Sequence, residues 1–306
     1  MNIVILGAGA VGGYLGGRLA EAGVPVSFLV RERRADQLSE KGIRIKSVHG
    51  DFSAESVDLY TDAEQIPECD VVIVTVKGYQ VEGAMPQLRT LVAKGAKILP
   101  FLNGMEHFRF MEESFGEENV LGGLAFIIST LDENGGIVQT SEQHDFVFGA
   151  LRESQKAFCN RLETTLSGAN VNVKNSDHIL RDLWQKYTFI TAFSGITTAS
   201  RLPIGKVREN QETLKLFQTM IEEMQALATV NKIDLGERLV DAVTEQVRGL
   251  PEEGTSSMHQ DLRKGMPIEV ESLHGGALRI AKEKGVKLPT IQTIYALLKP
   301  YEQGDK

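Results

Sequence analysis

The sequence predicts an α/β domain built on a parallel sheet, followed by an all-α domain. In the first half, short β-rich runs alternate with helical stretches, which is typical of right-handed βαβ units. Beyond about residue 175 the strands stop and long helical periods take over. A glycine-rich turn directly after the first apolar run is the third observation. We therefore expect two domains, 1–175 and 176–306.

The α/β domain begins with an apolar strand over 2–6, a helix over 10–22 that ends at Gly23, and a strand over 25–30. The run 70–76 (DVVIVTV) is continuously apolar, as expected for a parallel strand covered on both faces. Further strands are predicted at 43–46, 53–59, 97–102 and 120–130, with a hairpin formed by 136–139 and 146–149.

The second domain is predicted from apolar residues at helical spacing. Pro267 is placed at a helix start and Gly285 at that helix's end, where these residue types are favoured. The other predicted helices cover 177–198, 212–230, 237–250 and 290–301. The apolar faces of these helices would bury either a core or a homodimer interface, and both alternatives remain open.

Composition excludes several classes of protein. Of the 306 residues, 42% are hydrophobic and 24% are charged, with a net charge of −8, so neither disorder nor a nucleic-acid face is expected. No apolar run is long enough to span a membrane, and no basic segment precedes the first apolar run, which argues against a signal peptide. Cys69 and Cys159 lack metal spacing, as do the six histidines. We expect a cytoplasmic protein without a metal.

The strongest motif is Gly7-Ala-Gly9-Ala-Val-Gly12, which follows the first strand and opens a helix. This context is the dinucleotide-binding fingerprint of a Rossmann domain. Gly7 permits the tight turn, Gly9 allows the backbone to approach a pyrophosphate, and Gly12 allows close packing of helix on strand. The alternative is a Rossmann turn that binds nothing. The predicted cofactor-binding residues of the loop are Gly7, Ala8, Gly9, Ala10, Val11 and Gly12.

The residues after the second strand favour NADPH. Arg31 comes first, and a planar guanidinium suits a ribose 2′-phosphate. Glu32 is the counter-argument, because a carboxylate there would bind the ribose hydroxyls of NADH. Arg31 in a solvated helix start is a further alternative, and Arg33 and Arg34 are interpreted as solvated.

Two polar residues follow later strands. Lys77 directly follows VVIVTV, and Asn103 directly follows KILPFL. Both should therefore lie at the carboxyl edge of the sheet, near the cofactor. Lys77 could equally be a surface lysine, and Asn103 a turn residue before Gly104.

Lys186 is the strongest candidate for catalysis. On the stripe that runs from Ile179 to Thr197 in the first long helix it is the only charged residue. A lysine on a buried face is costly unless it is paired or its pKa falls, and such a group suits reduction of a carbonyl, where negative charge develops on oxygen. The alternative is a lysine whose amine reaches solvent at the rim. Glu269, predicted in the first turn of its helix, would be the partner acid, although it could be an ordinary first-turn residue. Ser256 and Ser257 lie near the proposed site, but they could serve only as helix N-caps. His259 is a second candidate for the general acid.

Over its whole length the chain resembles the ketopantoate reductase (2-dehydropantoate 2-reductase) family. The resemblance lies in GAGAVGG at 7–13, VTVKGYQV at 74–81, LNGM at 102–105, LWQKY at 183–187 and TSSMHQDLRKGMPIEVE at 255–271. It implies an NADPH-binding Rossmann domain, a helical substrate domain and a role in pantothenate biosynthesis.

The resemblance also implies roles for individual residues. Lys186 would be the catalytic acid with Glu269 as its partner, and Arg31 would bind the 2′-phosphate. Lys77 and Asn103 would lie near nicotinamide and substrate. The residues implied in substrate binding are Asn103, Lys186, Ser194, Ser257 and Glu269.

One departure from the family pattern affects the substrate. The family usually has asparagines four and eight residues after the lysine, where this chain has Ile190 and Ser194. Isoleucine cannot hydrogen-bond a substrate hydroxyl, so a more apolar 2-keto acid, or a β-hydroxyacid, is an alternative substrate. A non-enzymatic NADPH sensor is the third hypothesis, against which the retention of Lys186 and Glu269 argues.

Overall fold

The computed structural model describes residues 1–304, which form two compact units. Unit 1 comprises Met1–Leu102 and His107–Ile179, and it is an α/β structure. Unit 2 comprises Asn103–Glu106 and the chain from Leu180 onward, and its regular structure is helical. The predicted fold class is therefore confirmed. Among residues 1–304 no helix is long and apolar enough to cross a membrane.

Unit 1 contains ten strands and five α-helices. The strands are β1 (Ile3–Leu6), β2 (Val26–Leu29), β3 (Ile43–Ser47), β4 (Phe52–Ala54), β5 (Asp58–Tyr60), β6 (Val71–Val74), β7 (Lys97–Pro100), β8 (Gly122–Leu131), β9 (Ile137–Gly149) and β10 (Asn172–Asn175). The helices are α1 (Ala10–Glu21), α2 (Glu32–Lys41), α3 (Val81–Ala93), α4 (Glu106–Phe115, whose first residue groups with unit 2) and α5 (Lys156–Leu166).

The first sheet is parallel throughout and has the order β5-β2-β1-β6-β7. Every residue of β1 and β6 is buried, which is why both strands have uninterrupted apolar sequences. The chain moves outward from β1 on one side to β2 and later on the other side to β6. This reversal of strand order places the loop after β1 at the point where doubly wound sheets bind ligands.

A second, mixed sheet corrects two strand predictions. The predicted hairpin of 136–139 with 146–149 is wrong, because both segments belong to the single strand β9, which pairs antiparallel with β8. The polar interior of β9 hid its continuity from a search for apolar runs. The predicted strand 53–59 is two strands, of which β4 pairs with β3 in the second sheet and β5 with β2 in the first.

Unit 2 packs its helices around a buried core centred on α8. The helices are α6 (Ile179–Ser200, whose first residue groups with unit 1), α7 (Ile204–Glu209), α8 (Gln211–Val230), α9 (Leu239–Gly249), α10 (Ser257–Arg263), α11 (Gly276–Lys284) and α12 (Pro289–Leu298). Phe217, Met220 and Met224 of α8 are fully buried at one-turn spacing. This amphipathic stripe is the pattern from which the helix was predicted.

The helix predicted to start at Pro267 begins later and irregularly. Residues 267 and 268 have no regular secondary structure, Glu271–Gly275 is a π-helical turn, and α11 follows directly. The Glu269 carbonyl accepts the Leu273 backbone N–H at 3.1 Å, so Glu269 lies at the helix entrance rather than within a first α-turn. π-turns of this kind occur frequently at functional sites.

Candidate active site

The glycine loop of unit 1 has the geometry that a dinucleotide requires. Gly7 has φ +99°, a conformation that favours glycine. A Cβ at Gly12 would lie 2.1 Å from the Gly7 carbonyl oxygen, so only glycine lets α1 approach the turn this closely. A Cβ at Gly9 would meet no protein atom within 4 Å. Glycine at position 9 is therefore not needed for packing of the loop, and it leaves open space beside the start of α1.

Two residues that were not predicted to form part of the site hydrogen-bond to this loop. The Thr75 hydroxyl donates to the Gly7 carbonyl at 2.6 Å. The Arg34 guanidinium is half-buried and donates to the Ala8 carbonyl at 2.9 Å and to the Gly135 carbonyl at 3.0 Å. Burial lowers the Arg34 pKa from its usual value. The interpretation of Arg34 as a solvated residue is therefore wrong. Its guanidinium is half-buried and donates to backbone carbonyls that are distant in the sequence.

Arg31 and Lys77, which are predicted to bind the cofactor, follow β2 and β6, the two strands that flank β1 in the sheet. Arg31 is exposed at the position before α2, and its side chain makes no hydrogen bond or ion pair with residues 1–304. Glu32, the first residue of α2, is also exposed. Lys77 follows β6 and is half-buried, with its backbone N–H donating to the Gln80 side chain at 3.2 Å. The carboxyl ends of β1, β2 and β6 thus present glycine backbone and cations.

Lys186 is a buried lysine on α6. It is 8% exposed, and burial lowers its pKa to about 8, while the charge of Glu269 acts in the opposite direction. Leu183 and Phe193, which share its face, are buried as well. Removal from water disfavours the ammonium, and a nearby carboxylate restores part of its stability. The result is an amine that can change protonation state near neutral pH.

Glu269 and Asn103 lie together in unit 2. Glu269 is 6% exposed, and its Oε2 accepts a hydrogen bond from the Asn103 carboxamide at 3.4 Å. Asn103 belongs to the short segment Asn103–Glu106 that groups with the helices rather than with the sheet. Unit 2 therefore brings together the amine, its partner acid and a carboxamide, which sequence spacing could not have shown because 166 residues separate Asn103 from Glu269.

The serines divide into different environments. Ser257 is the exposed first residue of α10, whereas Ser256 is the N-cap, accepting the His259 backbone N–H at 3.1 Å and pairing with the Thr197 hydroxyl at 3.0 Å. Ser194 is fully buried, and its Oγ has no hydrogen-bond partner within residues 1–304. Of these hydroxyls, that of Ser257 is the one accessible to a ligand in unit 2.

Unit 1 has a parallel sheet with a glycine loop at its switch point, and unit 2 holds a buried lysine–glutamate pair. These features are typical of a dinucleotide-binding oxidoreductase. The family model for ketopantoate reductase PanE/ApbA matches residues 3–153, and the model for the C-terminal domain of the same family matches residues 178–302. The chain therefore belongs to the ketopantoate reductase family.

Relatives along the whole chain agree with this membership. The chain is 35% identical over 302 residues to the uncharacterized oxidoreductase YkpB of Bacillus subtilis, with 99% of each chain covered. It is 26% identical to a 2-dehydropantoate 2-reductase of Pyrococcus abyssi, covering 99% of this chain and 98% of that one.

Solved structures show the same architecture. A 2-dehydropantoate 2-reductase of Geobacter metallireducens superposes with a TM-score of 0.91 at 26% identity, covering 98% of this chain and 99% of that one. D-mandelate dehydrogenase in a ternary complex with NADH and anilino(oxo)acetate superposes with a TM-score of 0.90 at 24% identity, covering 99% and 98%. The second likeness shows a shared fold.

Proposed function

We propose that this protein reduces a 2-keto acid to the 2-hydroxy acid with NADPH, and that 2-dehydropantoate is the first candidate substrate. The observation that carries this proposal is the buried Lys186, with its pKa lowered to about 8 beside Glu269, in a chain of the ketopantoate reductase family. A general acid is most effective when its pKa lies near the operating pH.

The loop after β1 fits a dinucleotide. Open space at Gly9 and the free N–H groups of the first turn of α1 suit a pyrophosphate. Gly7, Ala8, Gly9, Ala10, Val11 and Gly12 would hold it. Arg31, which is exposed and unpaired within residues 1–304, would bind the 2′-phosphate. Lys77 and Asn103 would lie toward the nicotinamide, which when bound supplies the hydride.

Lys186 would supply the proton. The Nζ–H of Lys186 would donate its proton to the carbonyl oxygen of a keto acid whose carbonyl carbon receives the hydride, and solvent would later reprotonate the amine. With a pKa of about 8, about nine-tenths of the amine is protonated at neutral pH. Glu269 stabilises the ammonium, and Asn103 orients Glu269. Ser257 would hold the polar end of the substrate. The predicted role of Ser194 in substrate binding is not retained, because its side chain is fully buried.

A more apolar 2-keto acid is the second candidate, and the surface around Lys186 favours it. Phe189 and Ile190, one turn further along α6, share the face of Lys186 and are half-buried. Phe189 stacks on Phe193 with ring centroids 5.4 Å apart and planes at 12°. An aromatic pair and an isoleucine provide an apolar surface and no hydrogen-bonding group for a substrate hydroxyl.

The proposal assigns the cofactor to a domain formed by 1–175 and the substrate to one formed by 176–306, in a cytoplasmic enzyme. A homodimer stays a prediction, which sedimentation of the purified protein tests directly.

The experiment follows NADPH absorbance with 2-dehydropantoate and with a panel of apolar and aromatic 2-keto acids. We expect turnover of at least one 2-keto acid, and its loss in Lys186→Ala. Lys206→Ala is the control, because Lys206 is an exposed lysine of the same unit that pairs with Glu209 at 3.0 Å. Tight NADPH binding without turnover of any keto acid would overturn the proposal and favour the sensor.

A further inference from the structure

The segment Asn103–Glu106 is fixed at both ends to one stretch of unit 2. At its first residue, the Asn103 carboxamide donates to Glu269 at 3.4 Å. At its last residue, the Glu106 carboxylate receives three N–H bonds from Arg279, with Nε donating at 2.9 Å and 3.1 Å and Nη2 at 2.7 Å. This fork-to-fork pairing fixes orientation as well as distance.

The middle of the segment passes directly over the π-turn. Gly104 has φ +94°, and a Cβ there would lie 2.4 Å from the Ser272 carbonyl oxygen. Met105 packs against the helical core of unit 2. The backbone of the segment therefore lies against the turn that follows Glu269.

Arg279 is itself held in place from the opposite side. Its Nη1 donates to a Glu271 carboxylate oxygen at 2.6 Å and its Nη2 to the Glu271 backbone carbonyl at 3.0 Å. Glu271 also accepts from Tyr295 at 2.5 Å and from Lys299. Isolated surface ion pairs contribute little, but a bidentate arginine within a network holds geometry well. Burial raises the Glu271 pKa, but the hydrogen bonds from Lys299, Tyr295 and Arg279 together outweigh it and lower the pKa to about 2, so Glu271 stays charged over the physiological range.

We propose that Arg279 and Glu106 are positioning residues, which hold Asn103 where its carboxamide meets Glu269. The consequence for catalysis rests on the proposed function, since it requires Glu269 to support Lys186. Neither Arg279 nor Glu106 needs to touch substrate or cofactor for this role. The guanidinium anchors Glu106, and Glu106 sets the position of the residue three places earlier.

The test uses Arg279→Gln and Glu106→Gln, with Arg248→Gln as the matched control. Arg248 is an exposed arginine of the same unit that pairs with Glu245 at 2.5 Å, outside the network around Glu271. We expect kcat/KM to fall by about 10-fold to 100-fold in the two test variants, because displacement of a catalytic group by about 1 Å has that effect. The control should change by less than about twofold.

Three further readouts separate positioning from general stability. Hydrogen exchange of the backbone amides of 103–106 should accelerate in both test variants and not in the control. The alkaline limb of activity should move to lower pH, because a displaced Glu269 stabilises the Lys186 ammonium less. The double variant should cost about as much as either single variant, since both act through one contact. Arg279→Lys, which keeps the charge, covers the case in which Arg279→Gln fails to fold, and it should show the same changes to a smaller extent.

Unchanged kcat/KM in well-folded test variants would overturn the positioning role while leaving the proposed function intact. If the wild-type protein reduces no keto acid, the proposed function fails by itself. Hydrogen exchange then decides whether the Arg279–Glu106 pair holds the segment, and unchanged exchange would overturn that too.

Discussion

Replacing Glu269 by Gln should lower activity more at pH 8 than at pH 6, because the change removes a charge that keeps Lys186 protonated. Glu269 raises the Lys186 pKa against the larger effect of burial, which leaves it at about 8. A carboxylate close to a lysine shifts its pKa by about one unit or more. Glutamine keeps the size of the side chain and an oxygen for the Asn103 carboxamide, so the removed quantity is the charge.

The magnitude follows from the protonated fraction of Lys186. With a pKa of about 8, half of the amine is protonated at pH 8. A fall of one pKa unit, about 1.4 kcal/mol, leaves about one amine in eleven protonated at that pH, a loss of about fivefold. At pH 6 the same fall removes less than about 10% of the protonated form.

The assay is kcat/KM for the accepted keto acid between pH 6 and pH 9 in wild type and Glu269→Gln. We expect the ratio of the two to widen by about fivefold from pH 6 to pH 8. Lost substrate contacts would lower activity by the same factor at every pH and would not alter this trend. A ratio that is constant across the range would refute the reasoning that Glu269 acts on the charge of Lys186.

The remaining predictions concern the cofactor and the substrate. Gly9→Ala should leave the melting temperature unchanged, because the new Cβ meets no protein atom, but it should weaken NADPH binding measured by fluorescence titration. Gly83→Ala is the control, because a Cβ at this position in α3 also meets no protein atom, and this variant should bind NADPH normally. Arg31→Ala should weaken NADPH binding by about 10-fold to 100-fold, as for loss of a charge-assisted hydrogen bond, and leave NADH binding unaltered; equal weakening of both would contradict a 2′-phosphate contact. Ile190→Asn should raise kcat/KM for 2-dehydropantoate relative to apolar 2-keto acids, and an unchanged preference would exclude Ile190 from substrate selection.

The sequence by itself determined the elements whose signal is local. Apolar runs and the glycine motif predicted β1, α1, β2 and β6, because a parallel strand buried on both faces must be apolar and a close helix–strand approach must use glycine. The pattern also singled out Lys186, since one charge on an apolar helical stripe is visible without any partner. The change from strands to helices predicted the two-part fold.

Only the tertiary structure decided which distant residues meet. The polar strand β9 has its partners in β8, β3 and β10, and no local pattern marks it as one strand. Arg34 looked solvated because its distant acceptors are the Ala8 and Gly135 backbone carbonyls, which carry no residue-specific signal.

The same limit applies to the pairs in unit 2. Asn103 with Glu269, and Glu106 with Arg279, are contacts between segments more than 160 residues apart. Local periodicity reports which face of an element is buried, but hydrogen bonds between distant segments depend on how the whole chain packs.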